Sequence, residues 1–175
     1  TGLLTGAITC CNAGKLSTIG GGFRNCVTGY LSTISGGRFN NALATSGTIA
    51  GGCGNCVNGS YSTIGGGKCN LVYGNNSHST IAGGRENTSN AGSGGCYMTI
   101  GGGFNNATTS ISSTIGGGCN NKSYSNASTV GGGYRNNASG GCTTIGGGRC
   151  NVASGYASTI GGGKYNTASN FATIV

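Results

Sequence analysis

Thr144-Ile145-Gly146-Gly147-Gly148-Arg149-Cys150-Asn151-Val152-Ala153-Ser154-Gly155-Tyr156-Ala157-Ser158-Thr159-Ile160 contains one full period of a repeat and the start of the next. The same pattern fills the chain. Apolar anchors stand at Ile19, Ile34, Ile49, Ile64, Ile81, Ile100, Ile115, Val130, Ile145 and Ile160, at intervals of 15, 15, 15, 17, 19, 15, 15, 15 and 15 residues. A threonine precedes every anchor, glycines occupy the second and third positions after it, and an asparagine stands six residues after it. A short period held this strictly describes a stack of equivalent coils in which each coil buries its apolar side chain against its neighbours.

The coil of residues 17–31 shows how the chemistry works. Ser17-Thr18-Ile19-Gly20 reads as a short strand in which Ile19 faces inward and Thr18 outward. Gly21-Gly22 turns the chain, because positive φ is cheapest for glycine. Phe23-Arg24 forms an exposed edge. Asn25 starts a return strand, its amide free to bond nearby backbone or to ladder onto the next asparagine. Val27 faces inward and Gly29 turns the chain back. The small inward position recurs as Ala42, Val57, Val72, Ala138, Ala153 and Ala168. The predicted fold is all-β: a parallel β-roll, or β-solenoid, of about ten 15-residue coils over residues 17–175, preceded by a lead-in or partial coil at 1–16. Stacked about 4.8 Å apart, ten coils span roughly 50 Å.

Composition agrees with this. The chain has 175 residues, 41 glycines, no proline, no tryptophan and only 6% charged residues. Glycine in fixed positions beside β-branched residues separates it from a disordered linker. One large apolar side chain per coil is a thin core, so association into a homotrimer, or continuation into a longer solenoid, is expected to supply further burial. The sequence shows no leader and opens an eleventh Thr-Ile at Thr173, so it reads as a segment of a longer protein joined to other fibre or anchor domains.

The Thr-Ile-Gly-Gly-Gly-x-x-Asn-x-Ala-Ser-Gly pattern of Thr144–Gly155 resembles repeats of phage and large-virus fibre proteins. It is also similar to the β-roll head repeats of trimeric autotransporter adhesins, whose usual period is 14. The resemblance covers residues 17–175. It implies a homotrimer of left-handed parallel β-rolls, used as a shaft or head on a virion or cell surface, extracellular, and carrying no catalytic residues.

Binding is then expected where the repeat leaves residues free. The net charge is +8, with nine Lys/Arg against one acid, Glu86. Arg24, Arg38, Lys68, Arg85, Arg135, Arg149 and Lys164 all lie four or five residues past an anchor, beside Phe23, Phe39, Phe104, Tyr134 and Tyr165. Such a stripe suits anionic surfaces. The same charges also serve solubility and blunt strand edges. Nucleic acid has no other support in the sequence and is not the expected partner. The two overlong coils carry Tyr73, Asn76, His78, Asn90 and Tyr97, a polar and aromatic set suited to sugar hydroxyls, because extra residues leave a solenoid as surface loops. The outward threonines form a single rank, an alternative reading being an ice-binding ladder; Thr–Thr ladders also stabilise sheets by themselves.

Catalysis is not expected. One histidine and one glutamate leave almost no choice of base and orienting partner. Gly65-Gly66-Gly67-Lys68-Cys69 lacks the spacing and hydroxyl of a phosphate loop. Of the ten cysteines only Cys53-x-x-Cys56 has metal-ligand spacing, with no second pair, so neither metal nor cofactor is predicted. The thiols either pair in an oxidising compartment, Cys53 with Cys69 first, or act as small apolar fillers.

Overall fold

The computed structural model describes residues 11–74, 77–90 and 96–175. Each coil contributes two two-residue strands. Among the described residues the first set, from Cys11–Asn12 to Thr167–Ala168, forms an eleven-stranded parallel sheet; the second, from Thr18–Ile19 to Thr159–Ile160, forms a ten-stranded one. Cys11–Asn12 pairs with Cys26–Val27, so the described part of the stack begins at Cys11. Register is one coil per step: Ile19 faces Ile34 and Ile145 faces Ile160. It survives the overlong coils, where Ile64 pairs with Ile81 and Ile81 with Ile100. In sequence, each overlong stretch lies between a strand of the larger sheet and the next strand of the smaller.

Two strands per coil is an incomplete account. The residues four past each anchor form a third ladder of single parallel bridges, running Phe23, Arg38, Cys53, Lys68, Arg85, Phe104, Cys119, Tyr134, Arg149 and Lys164. The expected exposed edge is therefore hydrogen-bonded from coil to coil, and its side chains project from a fixed backbone.

The anchors from Ile34 to Ile160 are fully buried, as are Val27, Ala42, Val57, Val72, Ala138, Ala153 and Ala168 opposite them. Ser89, Thr108 and Ser123 take that inward place in the middle coils and are equally buried. There the apolar core divides into one cluster from Val27 to Ile100 and another from Ile115 to Ala168.

The asparagines are also interior. Asn40 N–H donates to Asn25 Oδ1 at 3.0 Å, and the pattern continues to Asn166 on Asn151, again at 3.0 Å. From Asn25 to Asn151 the amide nitrogens also tie the glycine turns together: Asn25 Nδ2 donates to Gly21 O at 2.8 Å in its own coil and to Gly37 O at 3.0 Å in the next. A buried polar column is tolerable only when its donors and acceptors are matched, and here the matching is between coils.

Two expectations about the turns are corrected. Gly29 does not carry the left-handed conformation of the second turn; Leu31 does, with φ 55°. That corner is left-handed from Leu16 to Ala172, and the corner five past the anchor is left-handed from Arg24 to Tyr165, mostly without glycine. Non-glycine residues tolerate this only when the surroundings fix them. Here their N–H groups bond back to the preceding coil, as in Leu31 N to Lys15 O at 3.1 Å and Phe39 N to Phe23 O at 2.9 Å. The second correction concerns the eleventh Thr-Ile. Ile174, not Thr173, pairs with Thr159, so Ile174 enters the outward threonine row and is 82% exposed.

Candidate functional site

All seven cations predicted to share a stripe are exposed and lie along one edge of the stack. Arg38, Lys68, Arg85, Arg149 and Lys164 belong to the bridge ladder. Arg24 and Arg135 occupy the adjoining left-handed corner. Aromatic rings hold most of them. Arg24 lies 5.2 Å from the Phe23 ring centre and 5.9 Å from that of Phe39, while Phe23 and Phe39 meet edge to face at 5.5 Å. Arg135 and Arg149 both approach Tyr134, at 5.0 and 5.4 Å. Arg85 lies 5.1 Å from Phe104, and Lys164 lies 4.8 Å from Tyr165. A ring face attracts a cation without neutralising it, so these side chains are ordered yet keep their charge. Arg85 alone meets an acid, Glu86, at 2.9 Å. That pair is exposed and contributes little to stability.

The edge carries two basic groups, Arg24 to Arg85 and Arg135 to Lys164, separated by Phe104, Asn105, Cys119 and Asn120. Within the gap Asn105 Nδ2 donates to Asn120 Oδ1 at 2.7 Å. Where the second group begins, Asn120, Lys122, Arg135, Asn136 and Asn137 line a cleft of about 320 Å³. Lys122 lies on the strand Lys122–Ser123, outside the two positions that define the edge, and was not anticipated. The available signal was its spacing: Lys122 pairs in register with Asn137, one coil on, and so stands beside Arg135.

The overlong coils place their predicted residues in two groups. His78 and Tyr97 stack at 5.2 Å, three residues before successive anchors. Tyr61 stacks on the other face of His78, also at 5.2 Å, extending the ladder to three rings. Tyr61 escaped notice because its coil has ordinary length; its position three before Ile64 was the signal. Tyr73 and Asn90 are exposed and follow strands of the larger sheet directly, with Tyr73 N donating to Ser89 O at 3.0 Å and Asn90 N to Thr108 O at 2.9 Å. No contact joins them to the ring ladder among the described residues. Asn76 lies outside the described residues.

Cys53 and Cys69 are both free thiols, as are Cys56, Cys119, Cys142 and Cys150. Burial pushes the Cys56 thiol above its ordinary value. Cys142 Sγ stands 3.6 Å from the Tyr156 hydroxyl, and that contact raises the Tyr156 pKa. Among the described residues no three His, Cys, Asp or Glu side chains converge as metal ligands.

No family model matches the chain, and no curated protein is significantly similar to it.

Proposed function

We propose that this chain is a segment of an extracellular or virion-surface fibre, trimeric when assembled, that projects from its anchor and presents a cationic edge to anionic polysaccharide. Adjoining fibre or anchor domains and host-surface glycans are its partners in this reading. The observation that carries it is the alignment of Arg24, Arg38, Lys68, Arg85, Arg135, Arg149 and Lys164 along one hydrogen-bonded edge, with a single acid to offset them. Positive charge at neighbouring steps of a parallel ladder, as at Arg24 and Arg38 or at Arg135, Arg149 and Lys164, repels itself. That arrangement favours a polymeric polyanion, which releases its counterions on binding.

Trimer formation is supported by the opposite corner. Leu16, Tyr30, Leu31, Tyr61, Ile111, Tyr156 and Phe171 project there, each between 42% and 74% exposed. A ridge of large side chains along a solenoid with so slender a core gives neighbouring copies something to bury. Tyr156 and Phe171 already stack at 5.7 Å along it.

The test is binding to heparin, a sulfated polysaccharide, over a range of salt. The triple change Arg135→Met, Arg149→Met, Lys164→Met should weaken binding and reduce the log–log salt slope by about two to three. An unchanged slope removes the edge from consideration; tighter binding to duplex DNA than to heparin redirects the reading to nucleic acid.

A second reading, ice binding, draws on the in-register threonines, Thr18 on Thr33 through Thr144 on Thr159. The purified chain would then show thermal hysteresis and shape growing ice; absence of both excludes it.

A further inference from the structure

We infer that the cleft lined by Asn120, Lys122, Arg135, Asn136 and Asn137 is a binding site for one carboxylate-bearing sugar residue. The inference rests on the reading of the edge as glycan-facing and names the group that the edge selects.

Three features point the same way. The first is charge. Lys122 and Arg135 converge on the cleft, and the protein's one carboxylate side chain, Glu86, is bonded to Arg85 elsewhere. Two cations facing one space without an acid between them favour an anion there. An Arg guanidinium is shaped for the two oxygens of a carboxylate.

The second is fixed geometry. Lys122 Nζ lies 5.5 Å from the Tyr124 ring centre and Arg135 lies 5.0 Å from that of Tyr134. The backbones beneath are locked by Lys122 N to Asn136 O at 2.8 Å and Arg135 N to Cys119 O at 3.0 Å. Little ordering of these two cations remains to be done on binding.

The third is an unmet hydrogen bond. The side-chain oxygen of Asn137 is out of contact with solvent and has no donor. An unpaired buried acceptor is costly. The terminal torsion of asparagine is soft, so the amide turns toward the cleft easily. A simple carboxylate has no proton to give that oxygen, whereas a sugar hydroxyl has one. Asn120 also lines the cleft, and about 320 Å³ is of the size that small ligands occupy.

The inference is tested on this chain with glucuronate as probe, glucose and acetate as its two halves, and ligand-observed NMR as readout. Glucuronate is expected to saturate one site and to bind at least about tenfold more tightly than either control. Lys122→Met and Arg135→Met should each weaken it at least about tenfold with unfolding midpoints unchanged. Lys15→Met, which removes the same charge far from the cleft, should leave it intact. Glucose binding as well as glucuronate overturns the role of the carboxylate, and acetate binding as well overturns the role of the hydroxyls. If glucuronate fails to saturate while heparin still binds with its salt dependence, the cleft is refuted and the edge stands. If heparin fails too, both fall.

Discussion

Asn106 shows how much one side chain does in this fold. It is fully buried, accepts from Asn121 N at 2.9 Å, and donates to Gly102 O at 2.8 Å and Gly118 O at 3.0 Å. Asn106→Ala strands these groups in a dry interior and should cost on the order of 3 kcal/mol, read as a lowered urea midpoint. Thr99→Ala, on the outward row, should cost less than about 1 kcal/mol. Cys56 offers a second residue-scale check. Desolvation raises its thiol above the ordinary 9.0, so the folded chain holds that proton more tightly than the unfolded one. The associated stability is complete below about pH 9 and is lost as pH rises through the folded value. Iodoacetamide should therefore label Cys56 at higher pH in the folded chain than in the denatured one.

At the scale of the coil, neighbouring glycines play different parts. A Cβ on Gly148 would stand 2.1 Å from Gly163 O, at φ +90°. A Cβ on Gly147 would meet nothing within 4 Å. Gly148→Ala should thus block the approach of the next coil and cost several kcal/mol, whereas Gly147→Ala should cost under about 1 kcal/mol in the same melts. The coil is also where the limits of sequence reading show. The inward set was legible because Ile and Val/Ala recur at a constant spacing. The third ladder was not, because Phe23, Arg38, Cys53 and Lys68 share no side-chain chemistry; only their backbones are equivalent. The left-handed corner at Leu31, Ser46 and Tyr61 was hidden for the same reason, since hydrogen bonds to the preceding coil, not residue type, hold it. Ile174 was misplaced by one because a Thr-Ile pair stands one residue early while the backbone keeps its 15-residue step. For the candidate site, the stripe was visible as charge at fixed offsets. The cleft was not, because Lys122 joins Arg135 only from one coil to the next.

For the whole molecule, the assembly reading predicts a mass in solution three times the 16.9 kDa of one chain. Light scattering that returned a monomer at all concentrations would remove the trimer. Introducing a charge into the exposed corner, as in Tyr61→Glu with Phe171→Glu, should shift the assembly toward monomer without disturbing the inward residues. A final consequence follows from the direction of the hydrogen bonds. The coil-to-coil bonds, such as Thr144 N to Ser158 O at 3.0 Å, run along the stack, while the strands run across it. Tension applied at the two ends therefore loads these bonds coil after coil, in series, instead of shearing many together. A pulled molecule should peel in small steps, each freeing one coil of 15 residues, or of 17 and 19 at the two overlong coils. A coil about 4.8 Å high releases up to ~50 Å of chain. Under tension such a shaft lengthens roughly tenfold before it parts, which makes it a tether with give as well as a spacer.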